Sequence, residues 1–138
     1  MSNEYKDWLN ELKNAPKGSR EHNQYLGINY PYLIPRDMFG TIDDIFDYTI
    51  LDLVPEGWKE LFIKMCDEIN DVLDKYNICD TSEFYFYDVK EKWGRLNVEA
   101  RNIPKSIYWE VMDVIDKYYR ESARVCIKCG KPAKYYTQ

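Results

Sequence analysis

SEFYFYDVKEKWGRLNVEA, Ser82 to Ala100, is the stretch whose reading decides the fold. In its second half Leu96, Val98 and Ala100 alternate with Arg95, Asn97 and Glu99, the period-2 pattern of a strand with one wet face. Its first half, Phe84 to Val89, carries aromatic and β-branched residues on both faces, which suits a strand with neighbours on either side or one touching a partner. Lys90 to Gly94 join the two, and Gly94 accepts the positive φ that lets a chain reverse, so the stretch reads as a β-hairpin with a connection of about five residues. Trp93 at the tip is anomalous, because a loop has no need of an indole. Packing predicts that it folds back over the sheet edge. The functional alternative makes it a contact anchor with Arg95 beside it, since Trp and Arg dominate interface hot spots. Lys92, Tyr85 and Tyr87 complete the candidate partner-binding set.

On each side of the hairpin lies a helical pattern. Upstream, Pro55, Glu56 and Gly57 precede the stripe Trp58, Leu61, Phe62, Met65, Ile69, Val72, Leu73 and Tyr76, which predicts the principal helix. Cys66 lies at the edge of that stripe and reads as a small buried hydrophobe. Downstream, Asn102 and Pro104 are start signals for a helix that turns Ile107, Val111, Val114 or Ile115, Tyr118 and Ser122 inward and ends near Arg124. Tyr5, Trp8, Leu9 and Leu12 predict a short amphipathic helix from about residue 3 to about residue 14, ended by Pro16 and Gly18. The polar run KGSREHNQ reads as a loop with His22 in solvent. Residues 29–40, with Pro31 and Pro35, should run extended along the core and supply a third strand. Thr41 and Asp44 resemble a capping box ahead of Ile42, Ile45, Phe46, Thr49, Ile50 and Leu53, predicting a helix from about 41 to about 53, with a strand over 48–54 as the rival. Together these elements predict an α+β fold of two layers. An antiparallel hairpin or small sheet is flanked by two long amphipathic helices, with shorter N-terminal helices, in a single domain over 1–138.

The chain has 138 residues, 45% hydrophobic and 16% aromatic, so it can bury a core and is not a disordered polymer. Its net charge of -5 argues against nucleic acid as a direct partner, because a phosphate-binding surface is basic. No apolar run approaches the roughly 18 residues of a membrane span, and MSNEYKDW lacks the layout of a signal peptide, so a cytoplasmic protein is expected. Asp43, Asp44 and Asp47 read as a solvated helix face. No phosphate loop, nucleophile elbow, HExxH or nucleotide fingerprint is present, and the lone histidine leaves a Ser or Cys nucleophile without an evident base. No enzyme is expected. The most specific chemical signal is Cys126-Ile127-Lys128-Cys129-Gly130, a knuckle that offers two thiolates to a tetrahedral zinc ion. It is half a site. Cys66, Cys79, His22 or a second copy of the chain would have to complete it, so the expected cofactor is none or zinc, and a thioredoxin-like role is disfavoured because no βαβ pattern precedes the motif.

Several of these stretches together resemble a family of small uncharacterised bacteriophage and prophage proteins. The resemblance rests on Tyr30-Pro31 to Gly40 with Arg36-Asp37, on Gly57-Trp58 and the Leu61 to Ile69 helix with Cys66, and on Val89 to Leu96. It ends in Ser122, Cys126, Cys129, Gly130 and Pro132, so residues 1–28 lie outside it and 125–138 form the knuckle and tail. Members similar to this chain often continue into a second pair of metal ligands, and none follows here. The resemblance implies a phage origin and the cytoplasm of a bacterial host, where small acidic proteins often block defence or nucleic-acid enzymes by direct binding. The function expected is therefore an interaction protein that inhibits or redirects a host protein, with a homodimer as a further option. The alternatives are a structural zinc-knuckle protein or a sponge for a signalling nucleotide, its phosphate held by Arg36, Arg95 or Arg101 and its base stacked on tyrosine.

Overall fold

The hairpin forms with a tighter connection than its sequence suggests. In the computed structural model, which describes residues 3–37, 39–42 and 48–133, strand β1 (Tyr85–Lys92) pairs antiparallel with β2 (Arg95–Arg101). Lys92 pairs with Arg95, so the turn is Trp93-Gly94 alone. Both residues have positive φ, 58° and 75°, as a type I′ turn requires to match the right-handed twist of its strands.

The mixed apolar pattern of β1 has a different cause from the one expected. Phe84, Phe86 and Val89 are buried, a spacing of two and then three. Strict alternation would turn Val89 to solvent. A bulge at Tyr87 corrects the parity: Phe86 pairs with Ala100 and Asp88 with Glu99, leaving Tyr87 between them. Among the described residues the sheet has two strands, and β1 is flanked by 3-10 turns at Pro31–Leu33 and Ile50–Leu53, not by a third strand.

The principal helix is α3 (Lys59–Lys75), which buries Phe62, Met65, Cys66, Ile69 and Leu73; the helix after the hairpin, Tyr108–Ser122, buries Val111, Ile115, Tyr118 and Ser122. The latter packs on both α3 and β2. Each large apolar side chain so buried is worth about 1.5–3 kcal/mol before entropy is counted. Phe62 meets Phe86 edge-on at 5.8 Å between ring centroids, joining helix to sheet. Tyr32, with no exposure, stacks on Phe84 at 4.9 Å, and its hydroxyl lies 2.8 Å from Asn70 Oδ1 and 3.0 Å from the Cys66 carbonyl. The Asn70 side-chain amide in turn donates to Asn29 O at 3.0 Å.

The N-terminal half departs most from expectation. Helix α1 (Asn3–Lys13) is present, but the polar run after it is a second helix, α2 (Arg20–Asn29), where a loop was expected. Ser19 caps it, its Oγ accepting the His22 N–H at 3.2 Å, so His22 sits in a helix half-buried. Leu26 is the buried residue of α2, too little apolar periodicity to reveal the helix. Residues 29–37 do not run extended throughout and supply no third strand: Pro31 starts a 3-10 turn, and beyond it Arg36 makes a single bridge to Ile42. The expected helix over 41–53 is absent at both described ends, because Ile42 sits in that bridge and Ile50–Leu53 is a 3-10 turn. Asp43, Asp44, Ile45, Phe46 and Asp47, and with them the Thr41–Asp44 cap, lie outside the described residues. Asn102 is not a helix cap either. It takes φ 57°, and the last helix, α4 (Tyr108–Ser122), starts after Pro104 through a 3-10 turn at Lys105–Ile107.

Candidate functional site: the hairpin tip and the cysteine knuckle

Trp93 does not fold back over the sheet. It is 84% exposed at the tip of the hairpin. The left-handed conformation it adopts costs an L-residue about 1–2 kcal/mol and suits Gly or Asn. Glu91 Oε1 braces the turn, accepting the Gly94 N–H at 3.2 Å. Arg95, half-buried, places its guanidinium 5.5 Å from the ring centre of Tyr119 on α4. The start of β2 is held to α4 by Ser122, which has no exposure: its Oγ accepts the Leu96 N–H at 2.8 Å and donates to Tyr119 O at 2.7 Å.

The five candidate partner-binding residues do not make one surface. Lys92, Trp93 and Arg95 are at the tip, whereas Tyr85 pairs with Arg101 at the other end of the ladder, about 23 Å away at the rise of an extended strand. Tyr85 is half-buried and lies under the Arg36 guanidinium, 4.6 Å from its ring centre. Tyr87, exposed on the bulge, carries Arg101 at 4.2 Å. Sequence reading missed Trp109, which is 77% exposed and meets Tyr108 edge-on at 5.0 Å. Its signal was available, since it falls off the inward stripe Ile107, Val111 and Ile115.

The three arginines considered for phosphate are likewise dispersed. Arg36 donates to Gly40 O at 3.1 Å and to Ser82 O at 2.5 Å, while Asp37 Oδ1 accepts the N–H groups of Phe39 and Thr41 at 2.8 and 3.0 Å. The Arg36-Asp37 pair is thus the frame of a turn. Arg95 and Arg101 stand at opposite ends of β2, about 20 Å apart.

The cysteine knuckle is a tight loop closed by its own backbone. Cys126 N–H donates to Lys131 O at 2.8 Å, Gly130 N–H to Cys126 O at 2.9 Å and Ala133 N–H to Arg124 O at 2.7 Å, with Gly130 at φ 77°. This loop is docked on Gly57-Trp58. Gly57 N–H donates to Ile127 O at 2.8 Å, and the Trp58 indole N–H donates to Val125 O at 3.0 Å. A Cβ on Gly57 would lie 2.0 Å from Cys126 O, so only glycine allows the approach. Hydrogen bonds from the backbone and side chain of Cys129, then from the Lys128 and Gly130 amides, lower the Cys126 thiol to about 7. The loop can therefore present a thiolate near neutral pH. Cys66 is elsewhere, fully buried in α3, and burial holds its thiol well above the usual range despite the Tyr32 hydrogen bond. Cys79 is exposed beyond α3, its thiol directed at Asn77 O. Neither completes the pair, and among the described residues no three His, Cys, Asp or Glu side chains gather as a metal site.

No helix among the described residues is long and apolar enough to cross a membrane. No protein-family model, curated protein or solved structure matches the chain.

Proposed function

We propose that this chain is a small acidic interaction protein that binds a host protein, in the bacterial setting its phage-like motifs imply, and inhibits or redirects it. The observation that carries the reading is Trp93. A large aromatic side chain is held in solvent, in a backbone conformation that a smaller residue adopts at lower cost. Interface anchors are aromatic residues of this kind, desolvated only when the partner arrives. Lys92 and Arg95 frame it with positive charge, and the net charge of -5 supplies a long-range field for a basic partner. The knuckle, locked to Gly57-Trp58 by hydrogen bonds to its backbone, acts in this reading as a structural clasp, with two thiol groups to which zinc could add.

The test is affinity capture from a bacterial host lysate with wild-type and Trp93→Ala baits, followed by mass spectrometry. A stoichiometric protein recovered by the first bait and lost from the second is the expected result. Recovery of no such protein, or equal recovery by both baits, would count against the proposal. A dimer of the bait disrupted by Trp93→Ala would reassign the tip to self-association.

A further inference from the structure

The chain is acidic overall, with 24 Asp and Glu against 19 Lys and Arg, yet one cavity reverses that balance. It lies between α1, α2 and α3, encloses about 500 Å³, and is lined by four lysines, Lys13, Lys17, Lys59 and Lys64, against two carboxylates. Of those carboxylates Asp67 is engaged, accepting the Tyr30 hydroxyl at 2.6 Å. Lys59 pairs with Glu56 at 3.3 Å, whereas Lys13, Lys17 and Lys64 make no ion pair among the described residues. Lys13 and Lys17, at and just beyond the end of α1, thus meet Lys64 of α3 at one cavity where none of the three is ion-paired among the described residues, with Glu60 as the remaining carboxylate of the wall. Lysine is a flexible point charge, suited to phosphate without the fixed two-point geometry of arginine.

The rest of the wall is not that of a bare anion site. Leu26, Leu51 and Ile63 supply an apolar floor. His22 and Tyr25 supply two rings at 6.1 Å and 33° to each other. The volume lies within the range of small-molecule pockets, about 300–1,000 Å³.

We infer that this cavity binds a small organic phosphate, its phosphate held by Lys13, Lys17 and Lys64 and its body laid on the apolar floor beside His22 and Tyr25. The site is separate from the hairpin tip and does not depend on the interaction reading. Calorimetric titration with adenosine 5′-monophosphate as the probe, at low and at physiological salt, tests it. One site per chain is expected, weakened by salt and by at least tenfold in the combined variant Lys13→Gln, Lys17→Gln, Lys64→Gln. These side chains are exposed, so the variant keeps its fold, which circular dichroism checks. A charge-matched control, Lys75→Gln, Lys90→Gln, Lys105→Gln, should bind as wild type, and adenosine should not bind. Absence of binding, equal binding by the cavity variant, or equal loss in the control overturns the site. Inorganic phosphate bound as tightly as the nucleotide overturns the organic ligand.

Discussion

Trp93 and Gly57 are the two residues whose replacement separates role from fold. At Trp93 the conformation favours Asn, so Trp93→Asn should raise stability by about 1 kcal/mol, read as a higher urea midpoint with unchanged slope. The same change should abolish capture of the partner. A gain of stability with loss of binding identifies an anchor retained at a cost to the fold. At Gly57 the obstruction is backbone, which no rotamer change relieves. Gly57→Ala should therefore cost more than about 2 kcal/mol and release the knuckle. Alkylation of Cys126 should report this directly, because its thiol is lowered to about 7 only while the loop is folded. An unchanged alkylation rate at pH 7 in the variant would show that the clasp does not depend on Gly57.

At the scale of elements, the join between α3 and α4 is partly polar and its pH dependence is defined. Glu68 accepts Lys117 Nζ at 3.0 and 3.1 Å and the Tyr118 hydroxyl. Partial burial would raise the Glu68 carboxyl, but the hydrogen bonds from Tyr118 and Lys117 outweigh it and hold the group below its usual 4.5. The Tyr118 phenol is correspondingly raised, first by burial and then by Glu68, and stays a donor. A carboxyl lowered on folding adds stability that is present above its unfolded value and lost as pH falls through its folded value. The Glu68 side chain is 36% exposed, so solvent screening limits the effect to about 1 kcal/mol. Glu68→Gln should thus lower stability by about that much at pH 7 and by nothing at pH 3, measured by urea unfolding at both. Elements with a strong period were legible beforehand: α3, α4 and β2 each repeat an apolar face. The helix α2 was not, since a helix that buries Leu26 leaves its cap at Ser19 as the main signal. The bulge at Tyr87 was legible only as a change of parity between Phe86 and Val89, which alternation read as two apolar faces.

Across the whole molecule, charge and anchor should act on different rates. Negative charge steers a basic partner over a distance of order 10 Å, which salt removes, whereas a desolvated indole acts after contact. Asp43→Asn, Asp44→Asn and Asp47→Asn together should slow association at low salt and have little effect near 0.5 M, where the Debye length is only about 4 Å. Trp93→Ala should speed dissociation at every salt concentration, costing about 2 kcal/mol or more. Surface plasmon resonance with the captured partner measures both. Salt-independent loss in the triple variant would place those carboxylates inside the contact.

By itself the sequence determined the α+β class, the hairpin, the two long helices and most of their inward residues, because those follow from local periodicity and turn chemistry; Tyr76, counted on the inward stripe of α3, is 41% exposed. It also marked Trp93 as anomalous. Only the tertiary structure decided where that indole points, because exposure at a two-residue turn depends on what packs nearby. Tertiary structure alone joined Gly57-Trp58 to the cysteine loop, a contact across 67 residues that no local pattern encodes. It also dispersed the three arginines and brought Lys13, Lys17 and Lys64 to one cavity. Side chains remote in sequence meet through the packing of whole helices, and that is a property of the folded chain.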